Sequence, residues 1–197
     1  YADGVKAEHL HTRQQAGLFD VSHMGQLRVT PSDGRADTLM RQLEAALPLD
    51  FEGWPAGLQR YSVLLNDDGG IEDDLMVSNL GSEVRIVVNA GNRDADLALL
   101  QKLCPKLQFD WVDAAVIALQ GPQAEAVLAE FDTAAIDMRF MQVAELTLDG
   151  ASCLTSRSGY TGEDGYEISI PSTNALAVVK RLLAHDAVKP IGLGARD

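Results

Sequence analysis

Two neighbouring aspartates lie in a segment whose pattern is typical of a β-strand. Residues 71–77 read IEDDLMV. Since successive side chains of a strand point to opposite faces, Asp73 and Asp74 cannot both serve one site if the strand is regular. If Leu75 and Val77 lie on the core face, Asp74 points to the opposite face, where its carboxylate could meet a ligand. From composition alone we favour a plainer interpretation, an exposed acidic strand start after a turn.

A glycine-rich segment later in the chain holds a second acidic candidate. Residues 156–167 read SRSGYTGEDGYE, and three glycines in so short a span let a backbone and a ligand approach closely. Glu167 alternates with Tyr166 and Ile168, so we predict that it faces away from their core side. Its carboxylate could accept two parallel hydrogen bonds from an amino-pyrimidinone edge. The residues alone favour the alternative, a hairpin loop followed by a solvated glutamate.

The last residues of the chain, 192–197, read GLGARD and are typical of a loop entering a helix. Arg196 could donate hydrogen bonds to a ligand carbonyl or carboxylate. A surface pair between Arg196 and Asp197 is the ordinary alternative, and the sequence leaves both open.

The histidines and the known nucleotide motifs offer no further site. No acidic or cysteine partner stands at diagnostic spacing from any histidine, so we predict structural or surface roles and no metal site for His9, His11, His23 and His185. The sequence has no phosphate-binding P-loop, no dinucleotide-binding glycine motif after a strand and no serine-hydrolase elbow. Nucleotide-dependent and serine-hydrolase activities therefore have little support.

The overall composition narrows the classes of partner. The chain has 197 residues, of which 46% are hydrophobic and 23% charged, as in ordinary globular proteins. Its formal net charge of -13 repels nucleic acid and anionic lipid, so we expect neither nucleic acid nor a membrane as a partner. Cys104 and Cys153 lie far apart in apolar surroundings, which predicts two buried thiols rather than a disulfide.

Two successions of strands and helices are predicted to hold these candidates. The first has strands at 25–29, 61–65, 71–77, 84–89 and 107–112 and helices at 35–46 and 92–103. The second has strands at 115–120, 143–148, 152–156 and 166–170 and helices at 121–131 and 173–184. Tight turns such as DDGG at 67–70 predict an α+β fold of antiparallel sheets with helices on one face. The repeated order predicts two halves, approximately 20–112 and 113–197, with a ligand groove between them.

Six short motifs in this order resemble the glycine cleavage system T-protein family of aminomethyltransferases. Each motif is weak by itself, but their common order across nearly the whole chain is highly specific. The motifs are GLFDVSHMG at 17–25, the stretch from RYS through the hairpin at 60–77, VNA at 88–90, LQGP at 119–122, SGYTGEDGYE at 158–167 and GLGARD at 192–197.

The resemblance implies that residues 1–197 form a tetrahydrofolate-binding region of two ferredoxin-like halves, without the family's C-terminal β-barrel domain. It implies an enzyme that takes the aminomethyl group from the lipoyl arm of the H protein and passes the one-carbon unit to tetrahydrofolate, releasing ammonia. Tetrahydrofolate would be a cosubstrate, the lipoylated H protein a partner, and no metal would take part. Because the family extends beyond both ends of this chain, we expect the chain to keep the pterin-binding core with little transferase activity.

The resemblance also implies roles for individual residues. Asp74 matches the catalytic aspartate near the folate nitrogens, where a carboxylate could orient the attacking amine and help manage its proton. Glu167 matches the carboxylate that holds the pterin ring. The other matches belong to the same substrate site and are Arg196, Tyr160, Tyr61, Asn89 and Met24.

Two alternatives use the same fold. One is the folate-accepting portion of a sarcosine- or dimethylglycine-oxidising flavoprotein, and the other is a non-catalytic folate-binding relative that aids iron–sulfur protein assembly. Asp74 and the complete 160–167 block argue against the second. We expect a bacterial cytoplasmic location, with the mitochondrial matrix as the alternative for a eukaryotic source.

Overall fold

The computed structural model describes residues 3–51 and 53–195 and divides them into two compact units. The central unit comprises residues 23–112, and the terminal unit comprises residues 3–22 together with 113–195. The start of the chain therefore folds with its second half, not with the segment that follows it.

The elements alternate along the chain much as the sequence predicts. The first are helix α1 (Val5–Gln14), strands β1 (Ala16–Asp20) and β2 (Gly25–Pro31), helix α2 (Ala36–Ala46), strands β3 (Leu58–Leu65), β4 (Ile71–Asn79) and β5 (Val84–Val88), helix α3 (Arg93–Leu103) and strand β6 (Leu107–Trp111). Next come strand β7 (Ala114–Gln120), helices α4 (Ala124–Ala129) and α5 (Ala134–Asp137), and strands β8 (Val143–Leu148), β9 (Ala151–Ser156) and β10 (Gly165–Pro171). Helix α6 (Ser172–Leu183), strand β11 (Val188–Pro190) and a 3-10 turn (Leu193–Ala195) complete the succession.

The central unit is a five-stranded antiparallel sheet in the order β3-β4-β5-β2-β6. Its core contains Leu75 and Val77 of β4, Leu39 of α2 and Leu100 of α3, all nearly inaccessible to solvent. Each such side chain contributes roughly 1.5–3 kcal/mol relative to an exposed position. One face of the sheet is thereby committed to packing, and side chains on the other face remain available for chemistry.

The terminal unit is a six-stranded sheet in the order β11-β1-β7-β10-β9-β8. Its neighbouring strands are antiparallel except β1 and β11, which run parallel. The core joins Leu119 and Ile168 of the sheet to Leu128, Val178 and Leu182 of the helices. These sheets with helices packed on one face confirm the predicted α+β fold.

Strand β1 was not predicted, and it makes the main topological difference between the units. Each unit contains, in chain order, a strand, helical structure, three strands joined by hairpins, a helix and a last strand. In the terminal unit, β1 is an additional strand that lies between the first of these strands, β7, and the last, β11. The first four residues of β1, Ala16 to Phe19, are all buried. A strand buried on both faces has no alternation of apolar and polar residues to reveal it.

Three helices also differ from the sequence prediction, and one of them, the short α5, lies where no helix was predicted. Helix α1 was not predicted because its buried side chains, Glu8 and Thr12, are polar and leave no apolar stripe. The helix predicted at 121–131 begins only at Ala124. The N–H of Gly121 donates instead to the backbone oxygen of Asp164 (2.8 Å), which holds this residue in a turn.

Both cysteines are buried thiols, as predicted. Cys104 and Cys153 have no exposed surface and form no disulfide. Burial raises the pKa of the Cys104 thiol to about 11 and also raises that of Cys153, so both are protonated and unreactive near neutral pH. Among the residues that the structure describes, no helix combines the length and apolar character needed to cross a bilayer.

Candidate functional site

Strand β4 directs its two aspartates to opposite faces, as the alternation predicts, but both carboxylates still reach the Asn89 amide. Leu75 and Val77 lie in the core of the central unit. Asp73 shares their side of the strand, and Asp74 lies on the opposite face, where it is partly buried. Asp74 is therefore the aspartate placed on the face that packing leaves available.

Asn89, directly after β5, bridges the two aspartates. Its Nδ2 donates to Oδ1 of Asp74 (2.7 Å), to Oδ1 of Asp73 (2.9 Å) and to the backbone oxygen of Asp74 (3.1 Å). Because all three neighbours are acceptors, the nitrogen of the amide must point toward them. The amide therefore restricts the orientation of the Asp74 carboxylate.

Tyr61 lies on the same sheet face as Asp74. The register pairs Tyr61 with Met76 and Val63 with Asp74 across β3 and β4, which places all four side chains on one face. The Tyr61 ring is 58% exposed. Partial desolvation, followed by the charge of Asp74 and a hydrogen bond to it, raises the pKa of the Tyr61 hydroxyl. The hydroxyl therefore keeps its proton and acts as a donor toward Asp74.

Asp73 is held as a carboxylate on the core side. Burial raises the pKa of this carboxyl, but its hydrogen bonds outweigh that effect and hold the pKa below its ordinary value. The donors include the side chains of Asn89 and Asn92 and the backbone N–H of Asp74, 2.9 Å from Asp73 Oδ1.

Asp96 of helix α3 completes this cluster, and the sequence analysis did not identify it. The residue is 3% exposed and lies within hydrogen-bonding range of Asp73. Burial first, and then the neighbouring Asp73, raises its pKa to about 7. A signal was present in the sequence, because Asp96, Leu100 and Leu103 follow the i, i+4, i+7 spacing of one helix face. An acidic residue on an otherwise apolar helix face indicates that the acid is buried and has a partner there.

In the terminal unit, Glu167 lies on β10 between two small neighbours. It pairs with Ala118 of β7 and Ser156 of β9, and it is partly buried. Tyr166 and Ile168 on either side of it are fully buried in the core. Glu167 therefore points away from that core, as predicted from the alternation.

Gln120, which has no exposed surface, holds the glycine-rich segment against β7. Its Nε2 donates to the backbone oxygen of Ser158 (2.8 Å), and its Oε1 accepts from the Thr161 hydroxyl (2.8 Å). Gly159 has φ +146°, and a Cβ there would lie 2.1 Å from Gln120 Oε1. Glycine is therefore favoured at this close contact, while the two Gln120 hydrogen bonds attach the segment to β7.

Arg157 is a second anchor of this segment that the sequence analysis did not identify. Its guanidinium binds both carboxylate oxygens of Asp164, contacts Glu125 (2.7 Å) and donates to the backbone oxygen of Met138 (2.8 Å). The bonds to Asp164 raise the pKa of Arg157 and lower that of Asp164, so this pair remains ionised at neutral pH.

The predicted site residues fall into three groups. Tyr61 and Asn89 each contact Asp74 in the central unit, and Met24 is partly buried directly before β2. Glu167 and the 63% exposed Tyr160 belong to the terminal unit. Arg196 lies outside the described residues. Within residues 3–51 and 53–195, no group of three or more His, Cys, Asp or Glu side chains is arranged to hold a metal ion.

The chain is similar to known proteins over its whole length. A protein-family model described as the GCVT N-terminal domain matches residues 1–197. The mitochondrial aminomethyltransferase of Dictyostelium discoideum is 39% identical over 217 residues, which cover 100% of this chain and 52% of the relative. The chain spans about half the length of the curated relatives it matches.

Two solved structures share the fold. The glycine cleavage system aminomethyltransferase T from Bartonella henselae matches with a TM-score of 0.91 and 42% identity, covering 100% of this chain and 53% of that one. Heterotetrameric sarcosine oxidase from Corynebacterium sp. U-96 matches with a TM-score of 0.62 and 17% identity, covering 91% and 89%. The second likeness shows a common fold alone.

Proposed function

The chain belongs to the GCVT N-terminal domain family, and from this premise we propose that its protein is the tetrahydrofolate-dependent aminomethyltransferase of a glycine cleavage system. The enzyme would take the aminomethyl group from the lipoyl arm of the H protein and transfer the one-carbon unit to tetrahydrofolate. The products are methylene-tetrahydrofolate, ammonia and the dihydrolipoyl H protein. The observation that carries the proposal is the match to aminomethyltransferases across the whole chain at about 40% identity.

Asp74 is proposed as the catalytic residue. Its contacts with Asn89 and Tyr61 support this role, because a fixed carboxylate can orient a substrate amine and accept its proton. Asp73 is less suited to the role, since it lies on the core side and its Oδ2 is buried from solvent.

Glu167 is proposed to hold the pterin. A carboxylate accepts two parallel N–H donors from an amino-pyrimidinone, which gives both affinity and orientation. The position of Glu167 next to a segment held rigid by Gln120 supports this role, because a pre-formed binding site loses less entropy when its ligand binds. Tyr160, Met24 and Arg196 are proposed to contact the same cosubstrate.

Residues 1–197 by themselves are proposed to bind folate with little turnover, because they span about half the length of the relatives. The test uses the full-length protein with aminomethyl-lipoyl H protein and measures ammonia release with and without tetrahydrofolate. We expect release to depend on both reactants. Ammonia release at the same rate without tetrahydrofolate would contradict the proposed function.

A further inference from the structure

Two buried carboxylate oxygens in the central unit have no hydrogen-bond partner among the described atoms. They are Oδ2 of Asp73 and Oδ2 of Asp96. A buried charged oxygen without a donor destabilises the folded protein by several kcal/mol as an order of magnitude, so such atoms seldom remain unpaired. The two side chains are close enough to hydrogen-bond each other, although two ionised carboxylates have no proton between them to donate.

We propose that Asp73 and Asp96 share one proton, with the Asp96 hydroxyl donating to the Asp73 carboxylate. The pair positions Asp74 through Asn89, a role that rests on the proposed function. One proton satisfies both unpaired oxygens, since it turns one acceptor into a donor. Asp96 is then a positioning residue, acting on the substrate only through its neighbours.

The surroundings of the pair determine which partner carries the proton. Asp73 already receives N–H donors from Asn89, Asn92 and the Asp74 backbone, all of which favour its ionised form. Asp96 is more deeply buried, and burial raises its pKa to about 7, with Asp73 and Asp74 adding to the effect.

The other charged groups near Asp96 do not supply a partner for its unpaired oxygen. Asp67, Glu72 and Lys102 line the groove that Asp96 also borders, between α3 and the β3–β4 turn. Among the described residues, Lys102 forms no hydrogen bond or ion pair with Asp73 or Asp96, and Asp67 and Glu72 are acids. A proton carried by the pair itself supplies the donor that these groups do not.

The link to Asp74 is the Asn89 amide. Its Nδ2 lies 2.9 Å from Asp73 Oδ1 and 2.7 Å from Asp74 Oδ1, so the two carboxylates share one donor group. When Asp96 loses its proton, Asp73 loses a donor and faces a second negative charge. Asp73 then attracts the Asn89 amide more strongly, and the orientation of Asp74 weakens.

The first test measures the proton directly and needs no substrate. Carboxyl carbons of ¹³C-labelled aspartate in the full-length protein are followed by NMR as the pH is varied. We expect the Asp96 signal to titrate with a pKa of about 7 and the Asp73 signal to shift with it, because the two share the proton. If both signals titrate below about pH 5, as ordinary aspartates do, the proposal is overturned.

The second test asks whether the proton supports turnover. In the wild type we expect kcat to fall above neutral pH, by at most about tenfold per pH unit, as Asp96 ionises. Asp96→Asn keeps a permanent hydrogen-bond donor, so its kcat should not fall above neutral pH. Asp94→Asn, on the exposed side of the same helix, should show the same fall in kcat as the wild type. If kcat of Asp96→Asn falls above neutral pH as it does in the wild type, the positioning role is overturned.

The two tests separate this inference from the proposed function. A wild-type protein that shows the shared proton but no tetrahydrofolate-dependent turnover would contradict the function and leave the pair intact. A protein that turns over normally while both aspartates titrate below about pH 5 would contradict the pair alone.

Discussion

The central and terminal units bury different side chains in the helix that precedes the last strand of each sheet. Helix α6 of the terminal unit presents Val178 and Leu182 to its core, whereas helix α3 of the central unit presents Asp96 and Leu100 at the same four-residue spacing. Each helix precedes the last strand of its sheet. Since α6 packs with two apolar side chains at this spacing, packing such a helix against its sheet does not by itself require a buried acid. The acid in α3 therefore points to a role beyond folding.

The buried polar groups differ in the same way. In the terminal unit, the neutral side chain of Gln120 has partners for both its nitrogen and its oxygen. In the central unit, Asp73 and Asp96 each keep an unpaired carboxylate oxygen. A neutral side chain whose polar atoms all have hydrogen-bond partners makes a segment rigid. A buried carboxyl group with an unpaired oxygen can instead bind or release a proton. We therefore expect the central unit to carry out proton chemistry and the terminal unit to bind.

The largest effect expected from this contrast is in the central unit. Asp74→Asn in the full-length protein should lower kcat by roughly 10²–10⁴-fold, because the carboxylate would no longer accept a proton. Asp73→Asn should lose far less turnover, since Asp73 acts through its neighbours. Single-turnover ammonia release measures both variants. A larger loss in Asp73→Asn would show that the face assignment is wrong.

The terminal unit should respond in binding rather than in turnover. Glu167→Ala should weaken tetrahydrofolate binding by roughly 10–100-fold, the loss of about 1.5–3 kcal/mol of charge-assisted hydrogen bonding. Glu163→Ala is the matched control, because Glu163 forms a surface pair with Arg13 (2.8 Å) of the kind that contributes little. Calorimetric titration compares the variants with the wild type. Equal affinities in all three would remove Glu167 as the pterin anchor.

The rigidity of the glycine-rich segment can be tested without a ligand. Gly159→Ala should lower the free energy of unfolding by roughly 2–4 kcal/mol, because its Cβ would overlap Gln120 Oε1 in a backbone conformation that alanine disfavours. Gly150→Ala is the control, since Gly150 also has a positive φ (+80°) but has open space around its Cβ. That variant should lose only about 1 kcal/mol in urea unfolding. Similar losses in both would argue against the close contact with Gln120.

A further effect is expected in how stability depends on pH. The pKa of Asp96 is raised from 3.8 to about 7, so the folded state holds this proton more tightly than the unfolded state. The resulting stabilisation is complete below the unfolded pKa and is lost as pH rises toward the folded one. Relative to Asp96→Asn, the wild type should therefore become less stable between about pH 4 and pH 7. Parallel curves for the two proteins would contradict the raised pKa.

Much of the site could be predicted because strand alternation is a local rule. The period of two separated Asp74 from Asp73 and Glu167 from Tyr166, and the structure places each on the predicted side. The roles of those residues remain a proposal. Strand β1 could not be predicted from the same rule, because burial on both faces removes the alternation.

The sequence by itself determined the class of fold, the family and the faces of the strands, since these depend on local periodicity and on the order of motifs. Only the tertiary structure decided which distant residues became partners. Asp96 meets Asp73 because α3 packs against the sheet, and Gln120 holds Ser158 because β7 lies beside β10. Whether a buried polar atom finds a donor depends on side chains brought together from separate elements. No pattern within one segment contains that information.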